Sequence, residues 1–334
     1  MKSNFNKLNR HVTLKDIAQS TGYTVNTVSH ALNDKDDISE TTKQIIRQKA
    51  DELGYIKNSS ASYLRTKKTK TIAVIVGDIS NPFFGILVKE IEVYARQRDY
   101  NTFIINTEED ASLEEIAIRS VLEKNVDGII LCPNQKKSNS VQLLIKLGFP
   151  FVLIGRYFEN LPSDYVIADD KKGGYIATKY LIEKGNTKIL FLNGPDYISS
   201  AALRLQGYKN ALADHQIPFD PSLVKEISIT GNFTYLLKQL PHLNFTAVLA
   251  FSDIVAWEII HALRQPEFSG VKNIEVVGFD NIQSKMLIPY PLTSVNYDKQ
   301  KMAHLAVEIL LNRLDNSANP NRINISLDTE LIIR

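Results

Sequence analysis

From Thr71 onward the chain alternates short runs of branched and aromatic apolar residues with longer amphipathic stretches, and this alternation restricts the fold severely. The runs are TIAVIV, NTFIIN, GIILCP, FVLIGR, KILFLN, AVLAFS and IEVVGF. Strands that are apolar on both faces belong in parallel sheets, because the helices that return the chain must lie over both sides of such a sheet. Roughly 260 residues of this pattern exceed one ordinary doubly wound domain and suit two, with ligands held where strand C-termini meet a cleft. A chain of 334 residues, 44% apolar and 23% charged, has the composition of a soluble globular protein of two or three domains.

The residues before Thr71 follow a different period. In TLKDIAQSTGYTVNTVSHALN, Leu14, Ile17 and Ala18, then Val28, Ala31 and Leu32, mark two short amphipathic helices joined by Thr21, Gly22 and Tyr23. Two short helices about such a glycine read as helix-turn-helix, although an ordinary helical hairpin shares the pattern. Thr13 stands as N-cap with Asp16 three places on, and Thr24 can cap the second helix. That helix would present Val25, Asn26, Ser29, His30 and Asn33 outward, side chains short enough to reach base edges in a major groove. Ser39 is a suitable N-cap for a third helix, Glu40 to Leu53, whose Ile45, Ile46, Ala50 and Leu53 are expected to close a three-helix core, with Gly54 as its stop.

Charge separates the two regions. Residues 1–70 carry 13 Lys+Arg against 7 Asp+Glu, or +6, so the overall +2 leaves −4 for the remainder. Basic charge concentrated on the reading head is what phosphate contact requires.

In order and spacing, TLKDIA, TVSHALN, SETT, GYIKN and the short ASYL before the first strand resemble the lactose-repressor/galactose-repressor (LacI/GalR) family of transcription regulators. The resemblance implies an all-α helix-turn-helix head over residues 1–57 and a hinge helix and linker over 58–70. The core, 71–334, would have the α/β fold of periplasmic binding proteins, with two doubly wound parallel-sheet lobes. Lobe 1 is expected over 71–169 and 298–326, lobe 2 over 170–297 and 327–334, with chain crossings near Asp170, Tyr297 and Leu327. DNA contacts are expected from Leu14, Thr24, Val25, Asn26, Ser29, His30, Asn33, Ser39, Thr42, Tyr55, Asn58, Ala61 and Leu64. Of these, Leu64 would lever a base step apart from a hinge segment, Ser59 to Arg65, too short to hold as a helix unaided. The chain departs from the family at Lys57, where proline is commoner, and at His30, where arginine usually stands.

The expected effector site lies at strand ends. GDISNPFF makes Asn81 a cap and Pro82 the first residue of a helix, leaving Phe83 and Phe84 near the cleft, though both aromatics would equally suit the core. Arg156 follows four apolar residues abruptly. By resemblance Arg204 binds effector, Phe233 stacks on it and Asp280 holds its hydroxyl or amino groups. Asp253 is a further candidate that could simply cap the next helix. Ser252 replaces the family's common asparagine, which leaves the effector's identity open. Aromatic platforms with Asp and Arg suit a sugar, whose faces are apolar and whose hydroxyls donate.

Enzyme signatures are missing: no GxGxxG, Walker loop, HExxH or GxSxG occurs, and the six histidines are scattered. No cofactor, metal or catalytic set is therefore expected. Cys132, the single cysteine, sits in an apolar run and reads as a buried thiol. The start MKSNFNKLNRH has no apolar stretch and no run of 18 apolar residues follows, which points to the cytoplasm and away from membranes. The expected function is a homodimeric, allosteric repressor of sugar-use genes that binds pseudo-palindromic operator DNA and a small-molecule effector. Release of DNA by effector and promotion of binding by it are both open at this point, as are a dimer or a tetramer and a protein corepressor as a further partner. The alternatives are a sugar-binding receptor and a cytosolic sugar-modifying enzyme; the missing export signal opposes the first and the missing catalytic set the second.

Overall fold

The structure, a computed structural model, describes residues 12–56, 68–228, 240, 243–265, 274–285, 290–315 and 321–334. Asn58, Ala61 and Leu64, with the rest of the expected hinge at 59–65, and Phe233 lie outside the described residues. The chain divides into two compact units, Met1–Thr69 and Lys70–Arg334.

In the first unit, α1 (Leu14–Thr21), α2 (Val25–Leu32) and α3 (Glu40–Leu53) pack Ile17, Ala18, Val28, Ala31, Ile46 and Ala50 into one small core. Local chemistry sets each boundary. The Thr13 N–H and hydroxyl both donate to Asp16 Oδ2, at 2.7 and 2.6 Å, and Gly22 ends α1 with φ +78, a conformation that costs an L side chain energy. Thr24 Oγ1 accepts from Thr27 N at 3.1 Å, and Ser39 Oγ from Thr42 N at 3.3 Å, so both later helices start on a hydroxyl cap. The third helix differs from expectation at two residues. Its buried stripe runs through Lys43, Ile46 and Ala50; Ile45, about 100° round the helix from Ile46, is 46% exposed, and Leu53 in the last turn is 37% exposed. Lys43 occupies the stripe because its ammonium reaches Glu40 at 2.8 Å and Asp34 at 3.0 Å while its stem covers the core.

Among its described residues the second unit holds two six-stranded sheets. The first has the order β2-β1-β3-β4-β5-β11, formed by β1 (Thr71–Val76), β2 (Asn101–Asn106), β3 (Gly128–Leu131), β4 (Phe151–Ile154), β5 (Asp164–Ala168) and β11 (Asn324–Leu327), all parallel. The second has the order β7-β6-β8-β9-β10-β12, formed by β6 (Ile189–Asn193), β7 (Val224–Glu226), β8 (Ala247–Ala250), β9 (Glu275–Phe279), β10 (Thr293–Asn296) and β12 (Glu330–Ile332), with only β12 antiparallel. The strands β5, β7, β10, β11 and β12 were not among the seven apolar runs. They are short, three to five residues each, and mix polar with apolar positions.

Helices cover both faces of each sheet. On the first, α4 (Pro82–Arg96) lies on one side, and α5 (Ala111–Glu123) and α6 (Asn139–Leu147) on the other. On the second, α7 (Asp170–Glu183) and α8 (Ser199–Asp214) oppose α9 (Asp253–Ala262). The last helix, α10 (Lys299–Asp315), follows β10 of the second sheet yet packs Met302, Ala306 and Leu310 with Leu87 and Ile91 over the first. The chain thus passes between lobes after β5, after β10 and after β11.

Candidate functional site

The head presents its second helix as a reader. Thr24, Val25 and Asn26, at its start, are exposed, while Ser29, His30 and Asn33 are half-buried. His30 Nδ1 lies 2.6 Å from Asp37 Oδ2, and since a carboxylate accepts, Nδ1 carries the hydrogen. Asn33 Nδ2 donates back to Ser29 O at 2.7 Å, which closes the helix end. Leu14 and Tyr55 pack against the head core, whereas Ser39 and Thr42 form the cap of α3 with their hydroxyls 2.9 Å apart.

In the core unit the strand order reverses on either side of β1 and β6, and a crevice opens beyond strand C-termini at such points. A cavity of about 300 Å³ lies there, walled by both lobes. Phe83, Phe84, Arg156, Arg204 and Asp280 all line it. Asn81 Oδ1 accepts from Phe83 N at 3.0 Å and so starts α4 at Pro82, which brings both phenyl rings to the wall. Phe83 meets Tyr297 edge-on, with centroids 6.3 Å apart, at the second crossing.

Neither arginine is isolated. Arg156 makes a fork with Glu109, Nη1 to Oε2 and Nη2 to Oε1, both 2.7 Å, and Nη1 also donates to Pro133 O at 3.2 Å. Arg204 donates from Nε to Asp170 Oδ1 at 2.7 Å and from Nη1 to Phe251 O, has Asp280 Oδ1 3.9 Å from Nη2, and lies over the Phe279 and Phe251 rings at 3.9 and 4.7 Å. Burial pushes the Asp170 and Asp280 carboxyls up, with Arg204 opposing the shift in each. Tyr297 O–H donates to Asp280 Oδ1 at 3.2 Å. Asp280 itself holds φ +92, a conformation unusual for a side-chain-bearing residue, and lines the cavity.

Asp253 does not join that wall. Its Oδ1 accepts from Ser294 Oγ at 2.5 Å and its Oδ2 from Ile282 N at 2.8 Å, so the carboxyl is fully buried beneath the cleft. Burial pushes it up to about 7. It is Ser252 that caps α9, accepting from Val255 N at 3.4 Å. Cys132 lines the cavity with its thiol buried and pushed up to about 12, too high for a nucleophile.

Glu109 and Asp78 escaped the sequence reading as wall residues, and Asp170 and Tyr297 entered it only as crossings. A signal existed for Glu109: the acidic TEED follows NTFIIN directly, at a strand end. For Asp170, nothing local distinguishes it from Asp169, which caps α7 through Lys172 N at 2.9 Å. Among the described residues, no cluster of His, Cys, Asp and Glu is arranged to hold a metal ion, and no helix is long and apolar enough to cross a membrane.

Residues 69–333 match the family described as periplasmic binding proteins and sugar binding domain of the LacI family, and residues 13–58 match the bacterial regulatory proteins of the lacI family. The chain belongs to the LacI family. Among its LacI-family relatives, the ribose operon repressor of Haemophilus influenzae is 31% identical over 326 residues, covering 96% of this chain and 97% of the relative. The HTH-type transcriptional repressor PurR of Aliivibrio fischeri is 29% identical over 328 residues, with 96% and 97% covered. The solved complex of the transcriptional regulator CelR with cellobiose is 26% identical, covers 97% of this chain and 99% of its own, and superposes with a TM-score of 0.69. In this LacI-family chain, the cavity therefore lies within the sugar-binding domain and the exposed helix start within the regulatory one.

Proposed function

We propose that this chain is a sequence-specific DNA-binding repressor of carbohydrate-use genes, governed by a small polar effector held between the core lobes. The observation that carries the reading is the cavity itself. It is walled by both lobes, lined by aromatic rings and by carboxylate and guanidinium groups, and built on the same chain as a capped reading helix. Such a cleft suits a polyhydroxyl ligand, whose ring faces pack on Phe83 and Phe84 and whose hydroxyls pair with Asp280 and Arg204. The protein is a binder rather than an enzyme, and it acts in the cytoplasm, where its DNA is.

The reading assigns residues 1–57 to the head, 58–70 to the hinge and 71–334 to the core. Val25, Asn26, Ser29, His30 and Asn33 meet base edges, and Leu14, Thr24, Ser39, Thr42 and Tyr55 position the head on the backbone. The proposed DNA contacts extend to Asn58, Ala61 and Leu64 and the proposed effector contacts to Phe233. A pair of heads on a two-fold axis reads a pseudo-palindrome. The exposed Phe103 and Ile104 on the edge strand β2, at 47% and 48%, support a second copy at that edge of the core.

The test is selection of a binding site from random duplexes, followed by titration of the selected DNA in the presence of neutral sugars. A pseudo-palindromic site whose affinity shifts with one sugar is expected. Binding that ignores sequence, with a slope in salt alone, would overturn the proposal.

A further inference from the structure

Resting on that reading of the cleft, we infer that the effector is an uncharged polyhydroxyl compound, and that Glu109 is the residue that bars phosphorylated ligands, because it occupies the guanidinium of Arg156. Four carboxylates among the described lining residues, Asp78, Glu109, Asp170 and Asp280, share the wall with two guanidiniums, Arg156 and Arg204. The formal balance there is −2, and both cations are already paired.

The Glu109 pairing is built into the fold. Glu108 and Glu109 both hold left-handed backbone, at φ 52 and 54, and Glu109 N donates to Gly77 O at 3.0 Å. Its side chain lies across Gly77, where a Cβ would stand 2.2 Å from Oε1 and 2.4 Å from Cδ. Gly77 thus leaves the space through which the carboxylate reaches Arg156. The two side chains are only 5% and 9% exposed, so solvent does little to screen the pair.

A phosphate ester would have to detach Glu109 from Arg156, or Asp170 from Arg204, and then lie beside the displaced carboxylate. Like charges juxtaposed in a buried site cost several kcal/mol, enough to weaken binding by about 100-fold or more relative to the parent sugar. Hydroxyl groups meet no such barrier. They donate to the carboxylate oxygens without displacing them from the guanidiniums.

The test uses the full chain, with binding measured by calorimetry and thermal shift. The probes are D-ribose, D-glucose and cellobiose, D-ribose 5-phosphate, D-glucose 6-phosphate and inorganic phosphate. Wild type is expected to bind no phosphorylated probe saturably. Glu109→Gln and Glu109→Ala free one guanidinium and remove one negative charge, and at least one of the two is expected to gain about tenfold or more affinity for a phosphorylated probe. Saturable binding of a phosphate ester by wild type, at or above the affinity of its parent sugar, overturns the inference. So does failure of both variants, folded by circular dichroism, to gain phosphate binding. A phosphate ester that binds wild type and also alters operator affinity would sink the charge argument alone and leave the repressor reading standing. Loss of sequence-selective DNA binding would sink only the latter, since the phosphate arm needs no DNA.

Discussion

Asp37, beyond the end of the reading helix, holds the imidazole of His30 through a 2.6 Å contact between Oδ2 and Nδ1. In the proposed complex the ring's other nitrogen is the one offered to DNA, and the Asp37 carboxylate adds a negative charge that phosphates repel. Asp37→Asn should therefore tighten binding to random DNA, by removing a repelling charge, while narrowing the gap between cognate and random sites. Fluorescence anisotropy on both duplexes at matched salt checks this; an unchanged ratio of the two affinities would show that the pair has no part in reading.

The exposed Asn26 beside it should carry discrimination of its own. Asn26→Ala is expected to cost about 1 to 3 kcal/mol on the cognate operator and little on random DNA. Equal losses on both would assign Asn26 to backbone positioning.

Arg204 is a structural tie as well as a cleft residue, and substitution should reveal both. Truncation to alanine leaves Asp170 buried without its cation, so Arg204→Ala should destabilise the core by about 3 to 5 kcal/mol. Asp280→Asn is the milder probe, because its amide oxygen still accepts from Tyr297 O–H; it should keep the fold and lose effector binding. Thermal unfolding of both variants, with calorimetry on the second, decides the matter, and an Arg204→Ala protein as stable as wild type would contradict it.

Helices α7 and α8 approach so closely at Gly207 that substitution there and substitution at Gly85 of α4 should differ in sign. A Cβ at Gly207 would stand 2.1 Å from Lys171 O, so Gly207→Ala must push the helices apart and should cost about 3 kcal/mol or more. At Gly85, within α4, a Cβ meets nothing inside 4 Å, and Gly85→Ala should instead stabilise by about 0.5 to 1 kcal/mol. Denaturant titration of the two variants measures both effects.

Stability of the core should fall as pH rises from about 4 to about 7. Burial raises Asp253 from 3.8 and Glu114 from 4.5, each to about 7, so in this window the folded state holds protons that the unfolded state has released. Stability then declines with pH wherever the native form binds more protons, and levels off above the folded value. Asp253→Asn should flatten that slope between pH 4 and 7 and raise the melting temperature at pH 7.5. A variant whose pH profile parallels wild type would show that Asp253 does not titrate there.

Local chemistry was enough to read the head and the class of the core. Helix starts at Thr13, Thr24 and Ser39 depend on side chains within three residues of the backbone they cap, and parallel strands such as Thr71–Val76 and Phe151–Ile154 declare themselves by apolarity on both faces. Pairings between distant residues had no such trace. Glu109 and Arg156 are 47 residues apart, and Arg204 and Asp170 are 34 apart; only the packing of β2, β1, β3 and β4, and of α7 on α8, brings each pair together. Tertiary contacts likewise turned Asp253 under the cleft, where Ser294 and Ile282 satisfy it, and left Ile45 and Phe103 exposed because no element of the described chain covers them. A cap or an apolar period is a property of a short segment, whereas the charges a cleft leaves to meet a ligand depend on which carboxylate reaches which guanidinium, and that is decided only when the lobes fold.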